Sequence, residues 1–261
     1  MKGFNEALKA VYKQQPCRTL PNALWKTLKH QPTVKHFEIE DGTVTEMTMI
    51  HDGTLHLYWN QKRTLFGDVW GKDQSFNLVL IHQDYIHAVP LEEFYNHQKF
   101  FRLQYQGTSV EEVDLPVGLQ FTSVDFDNEQ EYQQAADLIA ACYPKLNPGP
   151  SEINEWRNHP VFAPKLWFWI VDQRDKRPAA LAIGELDPAV PEASLEWIQV
   201  HPDYQGIGLG GCLVSEMIRR VQDDVTLITV SGRIDEPDSP EEFYRRYGFT
   251  GDDVWWILRR T

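Results

Sequence analysis

Cysteine is scarce in this 261-residue chain: Cys17, Cys142 and Cys212 are odd in number, far apart and outside any C-x-x-C pair. Such a set frames neither a disulfide scaffold nor a zinc site, and it fits reduced thiols in a cytosol. Long hydrophobic runs are absent as well. None approaches the roughly 20 residues of a membrane-spanning helix, and the N-terminus carries no charged-then-apolar leader. A soluble, cytoplasmic protein with no membrane partner is therefore expected. Histidine occurs nine times but never in an H-E-x-x-H or comparable ligand spacing, and seven of the nine fall in the first 118 residues. Strand-surface positions account for them, and no metal is expected. Basic clusters are missing too. The first 118 residues carry 12 Lys and Arg against 14 Asp and Glu, the other 143 carry 13 against 24, and the net charge is −13. Binding a phosphate backbone needs clustered cations, so nucleic acid is not an expected partner.

What is present is concentrated in the stretch Val200-His201-Pro202-Asp203-Tyr204-Gln205-Gly206-Ile207-Gly208-Leu209-Gly210-Gly211. An apolar strand, Leu195 to Val200, runs through a Pro-Asp turn into a glycine-rich corner and then an amphipathic helix. This order leaves unpaired backbone N–H groups at the positive end of a helix dipole, where an anionic phosphate can sit. No carboxylate occupies Gly206 to Val214, so nothing in the first turns competes with a bound anion. Gly206-x-Gly208-x-x-Gly211 also satisfies the dinucleotide pattern G-x-G-x-x-G, which alone is a weak signal. Against it, four residues separate the strand from the corner, and no ribose-binding acid closes a following strand. A Walker loop is excluded because no Lys-Ser or Lys-Thr follows the last glycine.

Gln205-Gly206-Ile207-Gly208-Leu209-Gly210 has the form Q/R-x-x-G-x-G/A. In that setting it resembles the acetyl-CoA motif of the GCN5-related N-acetyltransferases (GNAT family). A second segment agrees. Phe243-Tyr244-Arg245-Arg246-Tyr247-Gly248-Phe249 is similar to the "LYeklGF" element near the end of these enzymes, and it follows Gly211 by 33 residues, counted to Tyr244. An apolar run, Thr226 to Val230, lies between the two motifs, as the family order requires.

The surrounding pattern suits that resemblance from Leu119 to the end. Leu119 to Val124 alternates as a half-buried first strand, and Asn128 to Tyr143 has helical spacing with Tyr132, Ala135, Ala136, Leu138, Ile139 and Cys142 on its apolar side. Pro144 and Asn147-Pro148-Gly149-Pro150 stop it, and Ser151 to His159 reads as a polar helical piece. Leu166 to Val171 and Ala179 to Leu186 form a hairpin around a charged turn. After Leu195 to Val200, a helix from Gly208 to about Gln222 buries Leu213, Val214, Met217, Ile218 and Val221, and Val254 to Leu258 is the terminal strand. The expected domains are 1–118 and 119–261, divided near Asp114 to Gly118. The fold class is α+β (mixed α/β): a GNAT-type mixed central sheet flanked by helices, preceded by a smaller α+β domain.

In that first domain, Phe4 to Gln14 and Leu20 to His30 read as helices. Asp41-Gly42 and Asp52-Gly53 mark tight hairpin turns, the second between the alternating runs Val44 to Ile50 and Thr54 to Trp59. Phe76 to His82 and Tyr85 to Pro90 suggest a further hairpin. The domain lacks a glycine corner of its own, and its reading as a degenerate GNAT-like copy stays open.

The resemblance implies an acetyl-CoA-dependent N-acetyltransferase, in which a primary amine attacks the thioester directly in a ternary complex. Backbone groups of Ile198 and Val200 would pair with the pantetheine arm and polarise the thioester carbonyl. The corner, Gln205, Gly206, Ile207, Gly208, Gly210 and Gly211, would hold the pyrophosphate. Tyr244 aligns with the tyrosine that acts as general acid toward the leaving thiolate; packing under the cofactor is the structural alternative. Glu196, sharing a face with Ile198 and Val200 by period two, is the candidate general base. A salt-bridged strand carboxylate is its alternative. Pro237 stands where many relatives carry an Asn seven residues before the tyrosine, while Asp238-Ser239-Pro240-Glu241 reads as a helix cap. Trp167, Trp169, Trp197, Trp255 and Trp256 fall on strands, where core packing accounts for them; a cation–π cage for a bulky amine is the functional alternative. The acidic C-terminal half suits a cationic small-molecule or peptide amine acceptor, although solubility alone explains such charge. A non-catalytic acyl-CoA-binding or protein-interaction module on the same fold is the competing reading. The oligomeric state is not legible.

Overall fold

Phe4, Ala7, Leu8, Val11 and Tyr12 recur at helical spacing and are the buried side of α1 (Phe4–Gln14). Its first turn is closed by the Glu6 carboxylate, which accepts the Gly3 N–H at 3.3 Å. Two short helices follow, α2 (Pro16–Thr19) and α3 (Leu24–Leu28), in place of the single helix expected over 20–30. Leu20 is extended, with φ −140° and ψ 149°. Pro21 disfavours the helical conformation in the residue before it, so the helix restarts only at Leu24. In this computed structural model the described residues are 3–30, 32, 34–63, 76–108, 110, 112–143, 146–235 and 240–260. Pro144, Pro237, Asp238 and Ser239, which figure in the sequence reading, lie outside them.

Strands β1 (Val34–Glu40), β2 (Thr43–His51) and β3 (Thr54–Asn60) form an antiparallel meander. Both turns fall where expected: Asp41, Gly42, Asp52 and Gly53 all have positive φ (49°, 78°, 45° and 65°), as tight two-residue hairpin turns demand. β4 (Leu78–His82) runs parallel to β3. The strand expected at 85–90 is instead a 3-10 turn over Gln83–Ala88, started where His82 Nδ1 accepts the Asp84 N–H at 3.2 Å. That turn carries Tyr85 inward, where its hydroxyl accepts from Asn60 N–H at 3.0 Å and from Arg18 at 2.9 Å. β5 (Asn96–Tyr105) completes this part of the chain. Its consecutive buried residues Phe101, Arg102 and Leu103 hide the alternation by which a strand is recognised.

The middle of the chain forms its own compact unit, Tyr105–Ile228. It holds β6 (Leu119–Ser123), α4 (Glu129–Cys142), α5 (Pro150–Glu155), β7 (Phe162–Asp172), β8 (Pro178–Asp187), β9 (Glu192–Val200) and α6 (Leu209–Val221). The four strands pair antiparallel in the order β9-β8-β7-β6. Asn128 caps α4 by accepting the Gln130 N–H at 3.1 Å. Tyr132, Ala135, Ala136, Leu138 and Ile139 of α4 pack with Ile153, Trp167, Trp169, Leu181 and Ile183 into one core. Helix α6 approaches β8 closely. A Cβ on Gly184 would meet the end of Met217, the Ser194 carbonyl at 3.2 Å and Leu166 Cβ at 3.3 Å.

The last segment contributes β10 (Leu227–Arg233), α7 (Pro240–Arg246) and β11 (Phe249–Arg259), and from Thr229 onward it belongs with Met1–Gln104 in the other compact unit. There the strand order is β1-β2-β3-β4-β11-β5-β10. β5 therefore lies between the last two strands of the chain, antiparallel to β10, with Gln104 opposite Thr229 and Phe100 opposite Arg233. Buried Arg102 is held there by Tyr12 at 2.7 Å and Ser231 at 3.0 Å. β11 pairs antiparallel with β4, Trp255 opposite His82. The compact units thus do not coincide with the division at 118/119. The stretch Asp114 to Gly118 has the composition of a connector, but strand pairing joins residues far apart in sequence. The α+β class stands.

Candidate functional site

The glycine corner begins where β9 ends. Gly206 and Gly208 have φ of +78° and +88°, and a Cβ at either would meet nothing within 4 Å. Glycine is required here by the left-handed backbone, and the space beside it is open. Gly208 is the N-cap of α6, and the first intrahelical bond runs from the Cys212 N–H to the Gly208 carbonyl at 3.2 Å. The N–H groups of Leu209, Gly210 and Gly211 are consequently outside the helical ladder and face its N-terminal end. No acidic residue lies in the first turn, while Arg219 and Arg220 sit in the last. The half-exposed Ile207 borders the corner (50% exposed). This donor set fits a pyrophosphate: several N–H groups, a positive helix end and no side chain in the way.

The turn leading into the corner is pinned by charge. His201 Nδ1 accepts the Asp203 N–H at 3.2 Å, and Asp203 pairs with Arg177 from the β7–β8 turn. The Tyr204 hydroxyl donates to Asp172 at 3.5 Å, and Asp172 is bound by Arg174 at 2.6 Å. Hydrogen bonds from Arg174 hold the Asp172 carboxyl well below the ordinary carboxylate range, and Arg177 lowers Asp203 in the same way. Gln205 serves the same geometry. Its side-chain amide donates to the Val200 carbonyl at 3.4 Å, tying the corner to the strand end, and its N–H donates to the Pro202 carbonyl at 3.3 Å, closing the turn between them.

On β9, Ile198 pairs with Ala182 and Val200 with Ala180 of β8. Between Ile183/Trp197 and Gly184/Leu195 the register shifts, leaving Glu196 as the extra residue of a bulge. Period two does not carry across a bulge, so the inference that Glu196 shares a face with Ile198 and Val200 is corrected. Glu196 instead associates with Ser194, whose hydroxyl donates to its Oε1 at 2.6 Å. Trp197 and Gln199 lie opposite Ile183 and Leu181, two members of the core under α4. Trp197 stacks on Trp156, which follows α5, with ring centroids 5.6 Å apart and planes at 9°. Tyr143, at the end of α4, stands edge-on to it at 6.5 Å. Trp156, Tyr143 and Gln199 were not singled out by sequence reasoning. A polar residue two positions beyond Trp197, on the core side of a strand, was the one available signal.

Tyr244 lies in the other unit and is described with it. It is half-buried on α7 between Phe101 (centroids 6.1 Å), Phe243 (5.1 Å) and Phe249 (5.7 Å). The reason for the motif is local. The Tyr247 N–H bonds the Tyr244 carbonyl at 2.9 Å, Gly248 turns the chain with φ +86°, and buried Phe249 anchors the start of β11.

Fold and corner together define an α+β protein with a helix N-terminus suited to a phosphate-bearing ligand. Residues 164–251 match the acetyltransferase (GNAT) domain family. Solved structures with the same fold include a GCN5-related N-acetyltransferase from Sphaerobacter thermophilus, at 12% identity and TM-score 0.64, covering 84% of this chain and 77% of that one. A GNAT-family acetyltransferase from Colwellia psychrerythraea, at 11% identity and TM-score 0.62, covers 100% and 98%. A tandem GNAT protein from the clavulanic acid biosynthesis pathway, at 11% identity and TM-score 0.56, covers 96% and 91%. No curated protein matches the sequence. Among the described residues no helix is long and apolar enough to cross a membrane.

Proposed function

We propose that the protein is an acetyl-CoA-dependent N-acetyltransferase that transfers an acetyl group to a primary amine by direct attack. The observation that carries this reading is the corner at Gly206–Gly211, open, glycine-built and free of acid, within a segment that matches the GNAT domain. Backbone N–H groups from Gly206 to Gly211 would bind the pyrophosphate, and the main chain of Ile198 and Val200 the pantetheine arm. The acyl donor supplies an activated thioester carbonyl. Glu196 would take the proton that an ammonium must lose before its lone pair can react, and Tyr244 would return a proton to the departing thiolate.

Calorimetric titration of acetyl-CoA into the protein and into Gly208→Glu tests this. The native chain should bind and the variant should not, since a carboxylate at the helix end repels the pyrophosphate. A native chain that bound neither acetyl-CoA nor CoA would remove the enzyme reading and favour a protein-interaction module.

A further inference from the structure

Gln199 is 2% exposed, and its Oε1 is buried without a hydrogen-bond partner among the described residues. A buried carbonyl oxygen left unpaired has lost its water without a replacement, and such groups in a folded protein call for an explanation. The position narrows it. Gln199 follows Trp197 by two on β9, with no register shift between them, so both side chains leave the same face about 7 Å apart. Trp197 and Trp156 stack face to face, and Tyr143, 38% exposed, stands edge-on to Trp197. The Glu196 carboxylate is next to Trp197 in the chain. β9 and the turn after α5 thus bring together two stacked indoles, a carboxylate and an amide oxygen that seeks an N–H.

We propose that this face of β9 selects the acceptor, and that the acceptor is a primary amine on a short arm attached to a flat aromatic body. The inference rests on the acetyltransferase reading and names its substrate class. The ring extends the Trp197–Trp156 stack on the Trp156 side, and the ammonium N–H groups are taken by Gln199 Oε1 and the Glu196 carboxylate. Trp faces also favour a cation placed over them. An aliphatic polyamine satisfies the carboxylate and the amide but has no ring to extend the stack.

The test compares 2-phenylethylamine and tryptamine with putrescine and spermidine at saturating acetyl-CoA, following CoA release. Expected is a kcat/KM at least 10-fold higher for the aromatic amines. Trp156→Ala should erase that preference, and Trp156→Phe should retain it, while calorimetric binding of acetyl-CoA monitors the integrity of each variant. Gln199→Met should raise KM for every amine about 10-fold with a smaller effect on kcat. Equal or better turnover of the aliphatic amines overturns the inference. So does a selectivity that survives Trp156→Ala, or a chain that binds acetyl-CoA yet acetylates none of the four. If acetyl-CoA does not bind, the acetyltransferase reading falls first and the acceptor assignment with it.

Discussion

Three histidines meet where α3, β2 and β3 come together. The His30 and His56 ring centroids are 4.4 Å apart, and His51 lies 5.8 Å and 6.2 Å from them. The charged groups bearing on them are all cationic or able to become so: His30 and His51 act on His56, and Lys29 and His51 act on His30. Burial is the larger cause, and it lowers His30 and takes His56 from 6.5 down to about 4. The unfolded chain therefore binds protons at His30 and His56 more readily than the folded chain as pH falls through 6.5. Stability from this cluster is complete above pH 6.5 and is lost progressively down to about pH 4, where folded His56 protonates too. Each tenfold in proton affinity is worth about 1.4 kcal/mol. His56 alone has a ceiling near 3.4 kcal/mol, and its partial exposure to solvent reduces that to about 1–2 kcal/mol. Urea unfolding at pH 8, 6.5 and 5, on the native chain and on His56→Phe, measures the difference directly. Groups shared by the two proteins cancel, and between pH 8 and pH 5 the native chain should lose about 1 kcal/mol more than the variant. Identical slopes, or a folded-state His56 titrating at or above 6.5 by NMR, would refute the reasoning.

Tyr244→Phe keeps the packing on Phe101 and Phe249 and removes only the hydroxyl. Turnover should fall about 100-fold with acetyl-CoA affinity unchanged, and an unaltered kcat would assign the tyrosine to packing. Glu196→Gln should abolish the acidic limb of the kcat/KM profile and slow turnover about 100-fold; a profile that keeps that limb points to a different base. Gly184→Ala should destabilise the fold by about 1–3 kcal/mol, read as a lower unfolding midpoint. The end of Met217 can swing aside, but the Ser194 carbonyl cannot.

Local chemistry was legible where one residue type settles the backbone. Asp-Gly pairs at 41–42 and 52–53 announced their hairpins, Asn128 announced the start of α4, and Gly206 and Gly208 announced the corner. Most of the candidate site could be named for the same reason, because its binding groups are backbone N–H groups whose exposure is dictated by glycine and helix geometry. Illegible features depended on partners distant in sequence. β5 is covered on both faces and carries Arg102 inside, so its pattern is neither alternating nor uniformly apolar. The bulge at Glu196 has no glycine or proline to mark it, and it reversed the face deduced by counting. Trp156 reached Trp197 only through the packing of α5, which no spacing rule across 41 residues conveys.

The place of β5 between β10 and β11 has a consequence for how the chain is made. β5 leaves the ribosome about 125 residues before β10 begins to pair with it, counted from Gln104 to Thr229. At roughly 5–20 residues per second it waits some 6–25 seconds with neither neighbour in existence, and open strand edges are what chaperones and aggregates both bind. This unit therefore cannot finish folding until β10 and β11 have been made. Fragments 1–118 and 119–261 should each be poorly soluble when expressed alone and should yield folded protein only when produced together in one cell.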